Sequence, residues 1–124
     1  MAEPKPARRA AHDRGLAAEA RAAALLEGAG FTILARRVRT PAGEIDLIAR
    51  QDGLVVFCEV KARGDRDTAA YSLLPRQRRR IAAAAEAWLA ARPDLALLDA
   101  RFDAVLVSGT GAAEHIPGAF EMDA

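Results

Sequence analysis

Apolar residues recur with a helical period in two segments of the chain. The first, residues 12–29, ends in a glycine-containing stretch, and its apolar stripe consists of Leu16, Ala20, Ala23 and Leu26. The second, residues 75–92, ends before Pro93, and its inner stripe consists of Ile81, Ala85, Trp88 and Leu89. Glu19 lies on the first stripe, because it follows Leu16 by three residues and precedes Ala23 by four. The pattern predicts two helices, the first with a carboxylate on its buried side.

Shorter segments between and after these helices are typical of β-strands. They are rich in β-branched and other apolar residues and are bounded by turn residues: 31–38, 44–50, 54–61 and 102–107. Residues 40–43 predict a tight turn, and Asp52-Gly53 predicts a two-residue hairpin. The third segment is apolar on both faces, so we expect it in the centre of the sheet.

The predicted order is helix-strand-strand-strand-helix-strand. The second helix would return the chain to the sheet as a right-handed crossover. We therefore expect an α/β fold, a mixed β-sheet flanked by helices, in one domain that spans residues 12–108. Residues 1–11 are expected to form a flexible basic N-terminal arm, and residues 109–124 an irregular C-terminal tail.

Composition narrows the classes of protein that this chain can be. Hydrophobic residues make up 52% of its 124 residues, which is enough for a core and argues against intrinsic disorder. No apolar run approaches the length of about 20 residues that crosses a bilayer, and the N-terminus lacks the apolar stretch of a secretory signal. We therefore expect a cytoplasmic protein with no membrane partner. Cys58, the only cysteine, lies in an apolar run, which predicts a buried thiol and not a nucleophile.

Charged residues occur where the strand pattern predicts core. Glu59 and Lys61 share a face of the third strand, and alternation places Glu44, Asp46 and Ile48 on one face of the second. Asp46 and Glu59 lie at similar distances from the hairpin turn, on strands that are about 5 Å apart, so their carboxylates are expected to meet. Buried charges must be paired, bound to metal or exposed at an edge.

Two converging carboxylates suit a hard divalent cation. One cysteine and two distant histidines give no zinc site of the usual spacing, so the ligand set favours Mg²⁺ or Mn²⁺. Asp46 and Glu59 would bind the ion, with Glu19 and the Val60 carbonyl as further ligands. Lys61 would orient a water molecule or stabilise developing charge. The alternative is a salt bridge at the rim of the sheet.

The ordered motifs together resemble the YraN-like family of bacterial proteins. The resemblance extends from about residue 12 through nearly the whole chain, and its most specific segments are Gly43–Ala49 (GEIDLIA) and Phe57–Arg63 (FCEVKAR). Further matching segments are Arg14-Gly15, Gly30–Leu34, Arg101–Asp103 and His115–Phe120.

That family resembles a branch of the restriction-endonuclease-like superfamily. The superfamily's motif is an acidic helix residue, an Asp and an E-x-K, which fall here on Glu19, Asp46, Glu59 and Lys61. The resemblance implies a restriction-endonuclease-like fold and a metal-dependent phosphodiesterase that acts on DNA or RNA with Mg²⁺ (or Mn²⁺). The Gly that usually precedes the helix glutamate is Ala18 here, and the usual Lys near the start of the second helix is Gln77.

Clustered arginines are the candidate contacts to nucleic acid, although the net charge is only +1. The expected contact residues are Arg36, Arg37, Arg39, Arg63, Arg76, Gln77 and Arg79. For the run at residues 76–80 the alternative is a solvated helix face paired with acids. We expect Trp88 in the core. We expect Asp103 to pair with Arg101 or with a neighbouring strand, and the alternative for Asp103 is a metal ligand.

Three functions follow from these features. The first is a metal-dependent endonuclease acting on nucleic acid, which we expect to be DNA. The second is a non-catalytic nucleic-acid-binding protein with the same fold, and the third is an interaction protein whose acidic cluster is structural. A homodimer is a geometric expectation, because each chain has one site and duplex or branched DNA presents two strands.

Overall fold

A computed structural model describes residues 6–63 and 75–120, with the main chain alone at residues 6–11, 14, 63, 75 and 120. The elements, in chain order, are α1 (Pro6–Gly28), β1 (Thr32–Thr40), β2 (Gly43–Gln51), β3 (Leu54–Arg63), α2 (Pro75–Ala90), α3 (Pro93–Ala96), β4 (Asp99–Ser108) and β5 (Ala113–Phe120). The predicted α/β class and helix-strand order are confirmed, and the short helix α3 and the strand β5 are additions to them.

The strands form one open sheet in the order β1-β2-β3-β4-β5. β1, β2 and β3 are an antiparallel meander, β4 pairs with β3 in parallel, and β5 pairs with β4 antiparallel. β3 is therefore the central strand, as its two apolar faces predicted. A mixed sheet flanked by helices is consistent with a restriction-endonuclease-like fold.

A hydrophobic cluster lies on each face of the sheet. One joins α1 to the side chains of Leu47, Ala49, Val56, Cys58, Val105 and Val107. The other joins α2 to the side chains of Ile45, Ile48, Val55, Phe57 and Phe102. Trp88 is buried in the second cluster, where it meets Phe57 edge-to-face with ring centroids 6.1 Å apart, which confirms its predicted place in the core.

The C-terminus of α1 is fixed by a glycine cap. Gly30 has a φ of 97°, and its amide donates to the Glu27 carbonyl while the Phe31 amide donates to the Leu26 carbonyl. This is the Schellman arrangement, in which the residue after the cap also packs on the last turn. Phe31 and Leu26 indeed lie in one apolar cluster. The cap thus fixes the position of α1 relative to the start of β1.

Both expected terminal segments were wrong in the residues that the structure describes, whereas residues 1–5 and 121–124 lie outside the described residues. The main chain is already helical at Pro6, within the expected arm, because proline is favoured in the first helical turn and the alanines and arginines after it are strong helix formers. Ala113–Phe120 is strand β5 instead of irregular tail, since the outer edge of β4 offers unpaired backbone groups.

The buried stripe of α1 is shifted from the predicted one. Leu16 is 39% exposed and Ala20 is also exposed, whereas the fully buried positions are Ala18, Ala22, Ala23 and Leu26. Glu19 still faces inward, because it lies three and four residues before Ala22 and Ala23.

Candidate active site

The β2–β3 ladder ends where the candidate site begins. Its register runs from Gln51–Leu54 to Leu47–Cys58. Beyond that rung, the Val60 amide donates to Oδ2 of Asp46 at 2.8 Å. A side-chain carboxylate thus takes the place of a main-chain acceptor, and it lies between the two strands.

Side-chain alternation breaks at this same point on two strands. On β1, Ala35 and Val38 both pack on the α2 side, and on β2, Ile45 and Ile48 do so as well. Residues three apart cannot share a face in a regular strand. The expectation that Glu44, Asp46 and Ile48 share one face was therefore wrong.

The break in alternation falls at Arg37 on β1 and at Asp46 on β2. The register places Arg37 opposite Asp46, between the Arg36–Leu47 and Val38–Ile45 pairs. Arg37 has a φ of 52°, which is uncommon for a residue other than glycine. Strain of this kind often occurs at functional sites.

Glu59 and Lys61 share a face of β3, as predicted. Their side chains form an ion pair in which Nζ of Lys61 lies 3.2 Å from Oε1 of Glu59. The Lys61 side chain is 25% exposed and the Glu59 side chain is 18% exposed. Glu59 also shares a hydrogen bond with the Asp46 carboxyl group. The predicted meeting of Asp46 with Glu59 is thus present, with Lys61 beside it.

Burial raises the pKa of both members of this carboxyl pair. Burial raises the pKa of Glu59 to about 7, and the charge of Asp46 adds to the rise. Burial also raises the pKa of Asp46, although the hydrogen bond from the Val60 amide opposes this. A divalent cation could take the place of the proton that Asp46 and Glu59 share.

Glu19 reaches the edge of this group from α1. Its Oε2 lies 3.6 Å from Nε of Arg37. Burial raises the pKa of Glu19, and repulsion by Asp46 adds to it while Arg37 opposes it. Within residues 6–63 and 75–120, no three His, Cys, Asp or Glu side chains converge into a ready-made metal site. Glu19 is therefore near the pair but not part of it.

The Val60 carbonyl is directed toward the same gap. The amide and carbonyl of one residue point to the same side of a strand, and the Val60 amide points to Asp46. The oxygen atoms available to a divalent cation thus come from Asp46, Glu59 and Val60, with Glu19 at a greater distance. This donor set fits Mg²⁺ or Mn²⁺, which prefer carboxylate and carbonyl oxygens.

The basic helix α2 begins above the β1–β2 turn. A Cβ added at Gly43 would lie 3.4 Å from the Arg80 carbonyl, and Asp46 follows Gly43 by three residues, about 10 Å along the strand. Arg76 and Arg79 are exposed. Among the described side chains, no ion pair joins α2 to an acid.

The remaining expected contact residues differ in their surroundings. Arg36 is exposed, and Arg39 is exposed with its Nε 3.7 Å from Glu44. Gln77 is half-buried and has a partner of its own. The side chain of Arg63 lies outside the described residues. Their contact with nucleic acid stays a prediction.

Arg78 is a residue that the sequence reasoning missed. It precedes Ile81 by three residues and Ala85 by seven, so it lies on the inner side of α2. Its Nε is buried and has no hydrogen-bond partner among the described residues. The signal in the sequence was its helical phase, which distinguishes it from Arg76 and Arg79.

Asp103 has a structural role on the α1 face. Its carboxylate accepts hydrogen bonds from Arg101 at 2.7 and 2.8 Å and from the Gly118 amide at 2.9 Å, and it lies 2.6 Å from Nε2 of His115. Burial would raise the pKa of Asp103, but these partners hold it below its ordinary value. The predicted pairing with Arg101 is confirmed, and the cluster ties β5 to β4.

Cys58 is a buried free thiol, as expected. Burial raises its pKa, so the thiol stays protonated and unreactive.

Within the described residues, no helix is long and apolar enough to cross a membrane. The cytoplasmic location stays a prediction.

Comparison with known proteins shows the family. Residues 18–107 match the sequence model of the family described as "Uncharacterised protein family UPF0102". The chain belongs to this family. The match includes Glu19, Asp46, Glu59 and Lys61, so the candidate site lies within the part of the chain that defines UPF0102.

Named UPF0102 proteins are similar over almost the full chain. One from Azorhizobium caulinodans is 63% identical over 121 residues, which is 95% of this chain and 92% of the relative. One from Bradyrhizobium sp. (strain ORS 278) is 56% identical over 124 residues, covering 95% and 88%. One from Rhodopseudomonas palustris is 56% identical over 115 residues, covering 93% and 88%. The family name carries no activity, so function has to be argued from the site.

Proposed function

We propose that this protein is a metal-dependent endonuclease that hydrolyses phosphodiester bonds in DNA or RNA, as a member of the restriction-endonuclease-like superfamily. One observation carries the proposal: two largely buried carboxyl groups, Asp46 and Glu59, share a hydrogen bond beside the Lys61 ammonium at splayed strand ends. A purely structural rim pair needs one carboxylate and one lysine. The second carboxylate adds repulsion, which a protein tolerates where a cation or a reaction uses it.

The donor set would hold Mg²⁺ or Mn²⁺ through Asp46, Glu59 and the Val60 carbonyl, with Glu19 as a more distant ligand. A divalent cation bound there supplies a polarised phosphoryl oxygen and a water molecule of lowered pKa. Every other part of the chemistry belongs to the chain. Asp46 is fixed by the Val60 amide, which preorganises the site before any ligand binds.

Lys61 is the residue that would act on the reacting groups. Its Nζ lies 3.2 Å from Oε1 of Glu59, so the ammonium is held at the mouth of the site. From there it would donate hydrogen bonds to the attacking water or to the phosphate oxygens that gain charge. Its partial exposure leaves room for substrate.

The proposed partner is nucleic acid, with DNA favoured. The arginines at the start of α2 lie at the same end of the sheet as the site, and those of β1 lie on the neighbouring strand. Each phosphate that they neutralise would add salt-sensitive affinity.

A homodimer is proposed as well, since cutting two strands needs two sites. Sedimentation with and without DNA that gives only monomer would rule out the homodimer.

A second candidate function is nucleic-acid binding without cleavage. It is favoured by the pairing of Lys61 with Glu59 and of Glu19 with Arg37, because both pairs occupy groups that catalysis needs. The two candidates differ in whether product is formed.

The test is cleavage of a panel of labelled branched, flapped, single-stranded and duplex substrates in DNA and RNA. We expect strand breaks with Mg²⁺ or Mn²⁺, none with chelator, and loss of activity in Asp46→Asn and Lys61→Ala. Glu86→Gln, on the outer face of α2, is the matched control and should cut like the wild type. Cleavage that survives both site variants comes from a contaminant and removes the enzyme claim. Binding without cleavage of any substrate favours the second function.

A further inference from the structure

Arg37 lies between the Asp46–Glu59 carboxyl pair and Glu19 of α1. It lies opposite Asp46 on the neighbouring strand, in a left-handed conformation with φ at 52°. Its Nε is 3.6 Å from Oε2 of Glu19 on α1. A regular β-conformation at this position would restore alternation on β1 and change the direction of the guanidinium. The strained backbone is therefore part of what brings Arg37 to Glu19.

The contact between Arg37 and Glu19 is loose. Charge-assisted hydrogen bonds between a guanidinium and a carboxylate measure about 2.7–2.9 Å, and this distance of 3.6 Å is longer. The Arg37 side chain is 38% exposed, and Arg36 and Arg39 beside it are exposed too. An anion arriving from solvent can reach this guanidinium, and a phosphate offers it two parallel hydrogen bonds.

The Glu19 side chain has a second possible direction, toward Asp46 and Glu59. It lies within the electrostatic field of Asp46, yet no three acids converge among the described residues. The buried stripe and the glycine cap hold α1 in place. Glu19 can therefore change its direction by rotation about its side-chain bonds, without movement of the helix or of a strand. Release from Arg37 would leave Glu19 free to turn toward Asp46 and Glu59.

We propose that Arg37 is a positioning residue that holds Glu19 aside until the phosphate of a bound nucleic acid takes its guanidinium, after which Glu19 joins Asp46 and Glu59 as a metal ligand. This inference rests on the proposed metal site. It assigns Arg37 a role beyond contact with the backbone of nucleic acid. Nucleic acid and metal then strengthen each other's binding, as linkage requires.

The test measures Mn²⁺ affinity by electron paramagnetic resonance, without and with a duplex DNA that carries phosphorothioate linkages to prevent cleavage. Arg37→Asn removes the guanidinium and keeps a residue that tolerates the left-handed conformation. Arg37→Gly is the second variant, since glycine adopts that conformation without strain. Arg50→Asn, an exposed arginine of β2 outside the expected contact residues, is the matched control. Melting curves establish that each variant is folded.

In wild type we expect DNA to raise Mn²⁺ affinity at least about tenfold. Without DNA, Arg37→Asn and Arg37→Gly should bind Mn²⁺ several-fold more tightly than wild type, and Arg50→Asn should not. This gain should vanish in the Glu19→Gln background, which is a double-mutant cycle on the proposed contact. A gain that persists with Glu19→Gln is only the effect of removing a positive charge, and it would overturn the inference.

The remaining outcomes separate this inference from the proposed function. If wild type binds Mn²⁺ and both Arg37 variants bind it with unchanged affinity, Arg37 does not position Glu19 while the metal site stands. If wild type binds no Mn²⁺ with or without DNA, both the metal site and the inference are wrong.

Discussion

Replacing Glu59 with glutamine should stabilise the metal-free protein at alkaline pH. The folded chain holds Glu59 beside Asp46 in a largely buried position, so its ionised form is disfavoured. Glutamine keeps the shape of the side chain and the ability to donate a hydrogen bond to Asp46, and it carries no charge. A site built for a cation should therefore be a source of instability when the cation is absent.

The size of the effect follows from the pKa of Glu59. The ordinary value is 4.5 and the folded value is about 7, so ionising Glu59 costs the folded state about 3 kcal/mol relative to the unfolded chain. Because the folded pKa of Glu59 is the higher one, the contribution of this group to stability is fully present below pH 4.5 and is lost as pH rises through about 7. The folded pKa of about 7 already includes the attraction of the Lys61 ammonium, so no separate correction for that ion pair is needed. The expected gain in Glu59→Gln is about 3 kcal/mol well above pH 7, and below pH 4.5 it disappears.

Urea unfolding in the presence of chelator measures these free energies. Trp88 is the only tryptophan and lies in the core against Phe57, so its fluorescence reports unfolding. Wild type, Glu59→Gln and the exposed control Glu86→Gln should be compared at about pH 4, 5.5, 7 and 8.5, which spans the titration window. Adding Mg²⁺ should stabilise wild type and leave Glu59→Gln unchanged. Parallel pH profiles for wild type and Glu59→Gln would refute the reasoning, because the carboxyl pair would then cost the fold nothing.

Three further variants test other parts of the account. Gly30→Ala should lose about 1–2 kcal/mol of stability in thermal melts, since an added Cβ would lie 2.7 Å from Nε2 of Gln51 at a positive φ, and an unchanged melting temperature would contradict the glycine cap. Asp103→Ala should cost about 2–3 kcal/mol in urea unfolding, because the Gly118 amide and the partly exposed Arg101 lose their acceptor; a loss below about 1 kcal/mol would mean that the cluster does not hold β5. Arg78→Met should raise stability by about 1 kcal/mol and weaken DNA binding in mobility-shift assays, whereas lower stability would show that the buried Nε is satisfied in the protein.

The fold was predictable from the sequence where one local signal acted alone. Alternation in the strand segments predicted the meander, and the Asp52-Gly53 turn predicted the hairpin between β2 and β3. The helical spacing of the apolar residues predicted α2. Strand β5 could not be predicted, because its pattern includes Pro117 and Gly118, and what orders it is a long-range bond between the Gly118 amide and Asp103. Tertiary contacts override local propensity at such positions.

The site was predictable in its members and not in its geometry. Alternation on β3 placed Glu59 and Lys61 together, and counting from the hairpin brought Asp46 to them. The direction of Asp46 depends on a break in alternation that starts with the positive φ of Arg37, and nothing in the composition of that segment marks it. The Arg37–Glu19 contact likewise joins distant parts of the chain, so only the folded structure shows it.

We propose that Asp46 and Glu59 hold a divalent cation in a phosphodiesterase site. Crystals of the protein grown with Mn²⁺ and a non-cleavable DNA, with diffraction recorded at the manganese absorption edge, test it most directly. We expect one anomalous peak per chain about 2.0–2.3 Å from oxygens of both carboxylates, with a phosphate against it and Lys61 turned away from Glu59. A map with no peak there, and with Glu59 still paired to Lys61, would contradict the claim.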